Sequence, residues 1–195
     1  MPNPYIPRDL VHAWSDAIGE NPDSAPLQRL LKQQRRLARW IEENAANLEP
    51  QSAGAALYLV GVVARIFDLA GGRLRAATWE QVRDAERRVL GAVDALLPLD
   101  DGFVERARGV AWRAQPHILD EALMSLFERE PDDEEEQLDQ TESFKIYLIM
   151  WVATEVLDQN WQPPKGFEGP TAYEYVHVEP TRRAKAEEPA EASAE

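Results

Sequence analysis

SAGAALYLVGVVARIFDLAGG, residues 52–72, is the stretch on which the fold turns. It carries no charge from Ser52 to Ala64, and apolar residues occupy almost every side of a 3.6-residue period. Such a segment reads as a helix enclosed by other helices. Ser52 can cap it and Gly71 and Gly72 can end it, which sets the helix at Ala53–Ala70, in the centre of a bundle. Gly54 and Gly61 lie seven apart on one face. A helical glycine costs about 1 kcal/mol against alanine, so both predict a closely packed neighbouring backbone. Arg65 and Asp68 predict an ion pair, the usual way charges are tolerated beside a core. Their functional alternative is a small-molecule pocket in the bundle core.

Toward the N-terminus, Pro7–Ile18 predicts a first helix, with Leu10, Val11, Trp14, Ala17 and Ile18 at helical spacing. A second helix runs from Ser24 until Pro50 stops it. Its apolar face holds Leu27, Leu30, Leu31, Leu37, Trp40, Ile41 and Leu48. Toward the C-terminus, Thr78-Trp79-Glu80-Gln81 is a capping box that opens a fourth helix ending at Pro98. Asp100 or Asp101 caps a fifth, containing Phe103 to Ala111. Pro116 breaks the chain before a sixth helix with Ile118, Leu119, Ala122, Leu123, Leu126 and Phe127. Thr141 or Ser143 caps a seventh, Phe144–Asn160, ended by Pro163 and Pro164. The expectation is a single-domain, all-α bundle of about six or seven helices over residues 1–161. Residues 162–195 form a tail, partly disordered because Ala, Glu, Pro and Ser cannot bury enough surface to offset ordering entropy. Four or five of the six tryptophans should anchor the core.

The charge is local. Of a net −14 over 195 residues, the segment 128–142 holds nine acidic groups against one basic. It reads as an acidic loop, and its Glu130–Glu136 portion is expected to fold back on the basic stripe of the second helix. The negative total argues against nucleic-acid and anionic-membrane partners. No apolar run reaches the roughly 20 residues of a spanning helix. Met1 to Arg8 has three prolines and no signal-peptide core. With no cysteine, thiolate metal sites and disulfides are excluded, and a cytoplasmic location is expected.

Catalytic signatures are sparse. No His-Glu-x-x-His, Gly-x-Ser-x-Gly or Walker-type loop occurs. His12, His117 and His177 are far apart, and none has a metal-binding partner at a compelling spacing. His117 with Asp120 and Glu121 at i+3 and i+4 reads as a surface histidine beside acids. Glu135-Glu136-Gln137-Leu138-Asp139 followed by Glu155-Val156-Leu157-Asp158 resembles, over about 24 residues, the paired carboxylates of the all-α nucleotide pyrophosphohydrolases, the MazG-like family. That resemblance implies a hydrolase in which Glu135, Glu136, Asp139, Glu155 and Asp158 gather Mg²⁺ from two helices.

The leading expectation is a non-enzymatic interaction or regulatory module with a protein partner and no cofactor. Two features would carry the contact. Tyr173, Tyr175, Val176 and Val178 form an apolar, β-prone patch in a polar tail, able to dock on a partner or on its own domain. Arg29, Lys32 and Arg36 fall at i, i+3 and i+7, beside Arg35 and Arg39.

Overall fold

The computed structural model describes residues 2–20, 25–129 and 138–178. In chain order the helices are α1 (Arg8–Glu20), α2 (Ala25–Gln33), α3 (Arg35–Ala45), α4 (Pro50–Ala70), α5 (Trp79–Leu90), α6 (Val93–Leu96), α7 (Phe103–Arg108), α8 (Pro116–Leu123) and α9 (Gln140–Asn160). A π-helical turn, Met124–Glu128, continues α8. Two short strands, β1 (Arg73–Leu74) and β2 (Trp161–Gln162), pair antiparallel, Arg73 opposite Gln162 and Leu74 opposite Trp161. The architecture is an all-α bundle.

The centre of the bundle is α9 rather than the helix at 53–70. From Ser143 to Leu157 only Lys145 and Leu148 escape burial, and α9 packs against α3, α4, α5 and α8. Such enclosure requires its polar side chains to be satisfied. Thr154 Oγ1 donates to the Met150 carbonyl at 2.8 Å and Asn160 Nδ2 to the Val156 carbonyl at 2.8 Å. α4 lies on α9 and leaves Tyr58 and Leu69 exposed. By length and composition it is nonetheless apolar enough to cross a membrane, which departs from the expectation that no segment reaches that length. Its extra residues come from Pro50. Read above as a stop, Pro50 instead occupies the first helical position, where its missing N–H leaves no bond unmade. Among the described residues, no neighbour outside its own helix lies within 4 Å of where a Cβ on Gly54 would stand, so the expected close packing is not seen there.

The expected continuous second helix is divided at Gln34. This residue is buried, and its side chain reaches across to the start of α5: Nε2 donates to the Arg75 carbonyl at 2.7 Å and Oε1 accepts from the Ala77 N–H at 2.8 Å. The chain bends there, Gln34 having φ −107° and ψ 49°. The Thr78 box forms as expected, Oγ1 accepting from the Gln81 N–H at 3.2 Å and Gln81 Oε1 from the Thr78 N–H at 2.8 Å. α5 ends earlier than Pro98, at Gly91, and the fifth expected helix shrinks to α7. Asp139, not Thr141 or Ser143, caps α9; its Oδ2 accepts from the Thr141 N–H at 3.0 Å.

Trp40, Trp151 and Trp161 are buried, and Trp14 and Trp79 pack half-buried against the core. Trp112 is exposed, stacked on Trp151 with ring centroids 5.0 Å apart.

The region expected as a tail is ordered against the bundle as far as Val178. Gln162 is in β2, and the Tyr5 N–H donates to the Pro170 carbonyl at 2.8 Å. At Gly169 a Cβ would overlap the Tyr5 carbonyl oxygen, so the strap can cross the N-terminal segment only with glycine there. Residues 130–137, and with them most of the acidic loop and its expected contact with the basic stripe, lie outside the described residues, as do 179–195.

Candidate functional site

Two regions draw together the residues of interest. The first is a trough. α3 and α5 form its walls and the first half of α9 its floor. Its lower half has a volume of about 280 Å³, where Leu48, Leu90, Leu148, Ile149 and Val152 supply most of the lining. Its upper half, about 420 Å³, opens between Arg39, Trp79 and Arg83. Trp40, Asn44 and Glu86 line both halves, and Trp40 and Glu86 meet across the walls between them. Trp40 Nε1 donates to Glu86 Oε1 at 2.9 Å, which fixes the indole as a wall. Leu90, at 54% exposed, stands at the lower rim. From Trp79 to Leu90 the trough wall is about 16 Å long at 1.5 Å per residue, three turns of a helix.

The basic stripe flanks the upper mouth. Arg36 Nη1 donates to the Ala77 carbonyl at 3.3 Å, two residues before Trp79. Lys32 and Arg35 are exposed. Arg29 is drawn away, pairing with Asp68 at 3.2 Å, and Asp68 also holds Arg65 at 2.8 Å. The Arg65–Asp68 pair thus forms as an ion pair, and it lies at the surface rather than in an internal pocket.

The second region is a buried ionic cluster around α8. Asp120 accepts from Arg113 Nη1 at 3.1 Å and from the Tyr173 hydroxyl at 2.9 Å. Glu121 pairs with Arg8 and faces His12. His117 sits between the Tyr5 and Tyr173 rings, and its Nδ1 has no partner among the described residues. Burial holds the His117 imidazole below its ordinary value, Asp120 partly opposing, and pushes the Tyr173 hydroxyl up to about 12. So His117, read above as a surface histidine beside acids, is buried with both of them: it shares Tyr173 with Asp120, while Glu121 turns to Arg8 and His12.

The Tyr173–Val178 patch docks on its own domain. Arg113 lies 5.1 Å from the Tyr173 ring centroid, and Arg108 lies 4.1 Å from that of Tyr175. Val176 stays exposed and Val178 half-buried. Gln115 anchors the same region from a left-handed backbone, φ 44°, unusual for a residue with a Cβ. Its Oε1 accepts from the Ile6 N–H at 2.7 Å, and its Nε2 donates to Asp158 Oδ1 at 2.7 Å.

Among the described carboxylates of the hydrolase reading, Asp139 does not converge with Glu155 and Asp158. Asp139 caps the start of α9, while Glu155 is 16 residues on, about 24 Å along the helix axis. Glu155 accepts from the Ala114 N–H at 2.7 Å and pairs with Arg88; Asp158 accepts from Gln115 and Asn3. Burial raises the pKa of both, these partners opposing. Glu135 and Glu136 lie outside the described residues. Two features escaped the sequence reading. The trough needs three helices to be packed before it exists. His12 and Asp16 stand at i, i+4, a same-face spacing that was legible, but their third neighbour, Glu121, is 109 residues from His12. No family model, curated protein or solved structure matches this chain.

Proposed function

We propose that the chain is a non-enzymatic helical interaction module, and that its trough receives one amphipathic helix with an acidic face from a protein partner. The trough itself carries this reading. An apolar floor between two helical walls is the shape that takes the apolar side chains of a helix, and in the lower half α9 supplies that floor with Leu148, Ile149 and Val152. Among the described residues nothing closes over Leu90, which is exposed, or fully covers Leu148, which is half-buried. The acidic face follows from charge. Residues 25–48 and 73–90, which build the walls and their flanks, hold ten basic groups against five acidic ones on a chain whose net charge is −14. That local excess steers an acidic partner and opposes a basic one. The upper half is lined by Arg39 and Arg83 together with Glu43 and Glu86; Arg39 pairs with Glu43 and Glu86 accepts from Trp40, so Arg83 is the cation that a carboxylate of such a helix would meet.

Selection of peptides from a displayed random library against the intact chain tests the proposal. Enriched peptides should carry apolar residues at helical spacing together with acidic ones, and should protect α3 and α5 amides from hydrogen exchange. Leu90→Glu, a change at an exposed rim, should weaken them by about tenfold or more, roughly 1.4 kcal/mol. Peptides that bind the Leu90→Glu chain as tightly as the unaltered one, or that protect α8 instead, would overturn it.

A further inference from the structure

We infer that a second copy of this chain lays its acidic segment, residues 130–137, on a basic platform of Lys32, Arg35, Arg36, Arg73 and Arg75, so that copies associate head to tail. Gln34 builds the platform. Its side chain holds the Arg75 carbonyl and the Ala77 N–H, which brings Arg75 beside Arg35 and Arg36. Arg73 and Arg75 flank the half-buried Leu74 on extended chain, so their side chains leave the core on the same side. All five cations are exposed, and none has a carboxylate partner among the described residues; Arg36 meets the Ala77 carbonyl. Asp68 is taken by Arg29 and Arg65, and Glu43 by Arg39. Glu80, in the first turn of α5, offsets at most one of the five charges. Such a surface on a chain of net −14 selects an acidic occupant.

The occupant follows from where the acidic segment is attached. Residues 130–137 hold six carboxylates and no basic group. They are tied at Arg129 and Leu138, and both ties lie at the pole where α9 begins. Leu138 closely precedes α9, and Phe127 reaches Phe144 through Phe103, at ring separations of 4.8 and 5.5 Å. The platform is at the other pole, because the Arg75 N–H donates at 2.9 Å to the carbonyl of Asn160, the last residue of α9. The 21 residues of α9 separate the two poles by about 30 Å. No residue of the segment is more than four from the nearer tie, about 14 Å of fully extended chain. Its backbone thus stops about 16 Å short of Arg75 in its own chain, even when stretched straight toward it. The fold-back expected from charge is disfavoured within one chain, whereas the platform of a second chain is under no such restraint. A contact between unlike surfaces of identical chains repeats from copy to copy.

Sedimentation velocity of the full chain over a concentration series tests the contact. In about 0.05 M NaCl the mean mass should rise with concentration beyond that of one chain, and in about 0.5 M NaCl it should return to one, because exposed charges are then screened. Two variants divide the interface. The first carries Asp132→Asn, Asp133→Asn, Glu134→Gln, Glu135→Gln and Glu136→Gln; the second carries Arg35→Glu and Arg75→Glu. Each alone should associate more weakly by about tenfold or more. Mixed in equal amounts they should pair, since one keeps the platform and the other the segment, and growth should stop at two chains. Circular dichroism checks that both keep the fold. Leu90→Glu should leave self-association unchanged, which separates this contact from binding in the trough. A chain that stays single at every concentration in low salt would overturn the inference and leave the platform to an acidic partner of another kind. Association that survives high salt, that neither variant weakens, that mixing the variants does not restore, or that Leu90→Glu abolishes would do the same.

Discussion

The trough and the α8 cluster use charge in opposite ways. Around α8, Arg8, Arg108, Arg113, Asp120 and Glu121 are all buried, and each has a protein counter-ion. Along the trough the charges sit on rims beside apolar surface that nothing in the described fold covers. Buried charges without partners destroy a fold, so a cluster of this kind is built by mutual neutralisation and is closed by construction. Exposed apolar surface is tolerated at small cost and stays open. The two regions therefore respond differently to substitution: the cluster through stability, the trough through binding.

The hardest test of that contrast is Arg113. Its side chain is 1% exposed and that of Asp120 is fully enclosed. Arg113→Ala strands the carboxylate and should cost about 3–5 kcal/mol. Urea unfolding followed by far-UV circular dichroism measures it. The double change Arg113→Met, Asp120→Leu should recover part of the loss, because the penalty comes from the unpaired charge. Leu90→Glu at the trough should stay within about 0.5 kcal/mol of the unaltered chain. Equal losses at the two positions would break the comparison.

The strap over the cluster gives a second, smaller effect. Gly169→Ala places a methyl on the Tyr5 carbonyl oxygen, a backbone group that cannot swing aside. Overpacking of this kind costs about 1–3 kcal/mol. The change should also loosen Tyr173 from Asp120, seen as increased solvent exposure of the tyrosines by near-UV circular dichroism. An unaltered near-UV signal would mean that the strap is held by Tyr173 alone.

Titration separates the regions again. His117 is buried with a lowered pKa, so the unfolded chain binds its proton first as pH falls below about 6.5. Stability present above that pH is lost as pH drops toward the folded value of His117. Glu155 and Asp158 act in the other direction. Burial raises their pKa, so below the folded values a falling pH favours the fold until the unfolded carboxyls also protonate near pH 4. His117→Gln should therefore flatten the fall in urea midpoint between about pH 7 and 5.5, the slope being bounded at about 1.4 kcal/mol per pH unit. An identical fall in both proteins would place its origin elsewhere.

What the sequence disclosed was what its neighbours within one or two turns determine. The Thr78–Gln81 box and the Arg65–Asp68 pair form as read, because each is complete within three residues. The richness of Phe144–Asn160 in large apolar residues marked a core helix, and α9 is the core helix. Gln34 could not be read as a break, because its reason lies at Arg75 and Ala77. The docking of Tyr173 and Tyr175 depends on Arg113 and Arg108, more than 50 residues away, and the patch itself carries no sign of which surface it meets. The trough was illegible for a different reason: Leu48, Leu90 and Leu148 have the spacing of core residues, and only assembly shows that the core leaves them at its edge.

Gly54 shows how the same residue type can separate requirement from accident. It shares with Gly169 the absence of a side chain, yet a Cβ at Gly54 meets nothing within 4 Å, and Gly54 is exposed on α4. Close packing therefore does not explain it. Alanine there restricts the unfolded chain and raises helix propensity without a clash, so Gly54→Ala should stabilise by about 0.4–1 kcal/mol. The sign is the informative part. A gain in urea midpoint would mean that the exposed face of α4 is unconstrained by the fold. A loss would mean that something outside the described residues packs on this face, and the close approach expected at Gly54 would then be supplied by a neighbour other than the bundle itself.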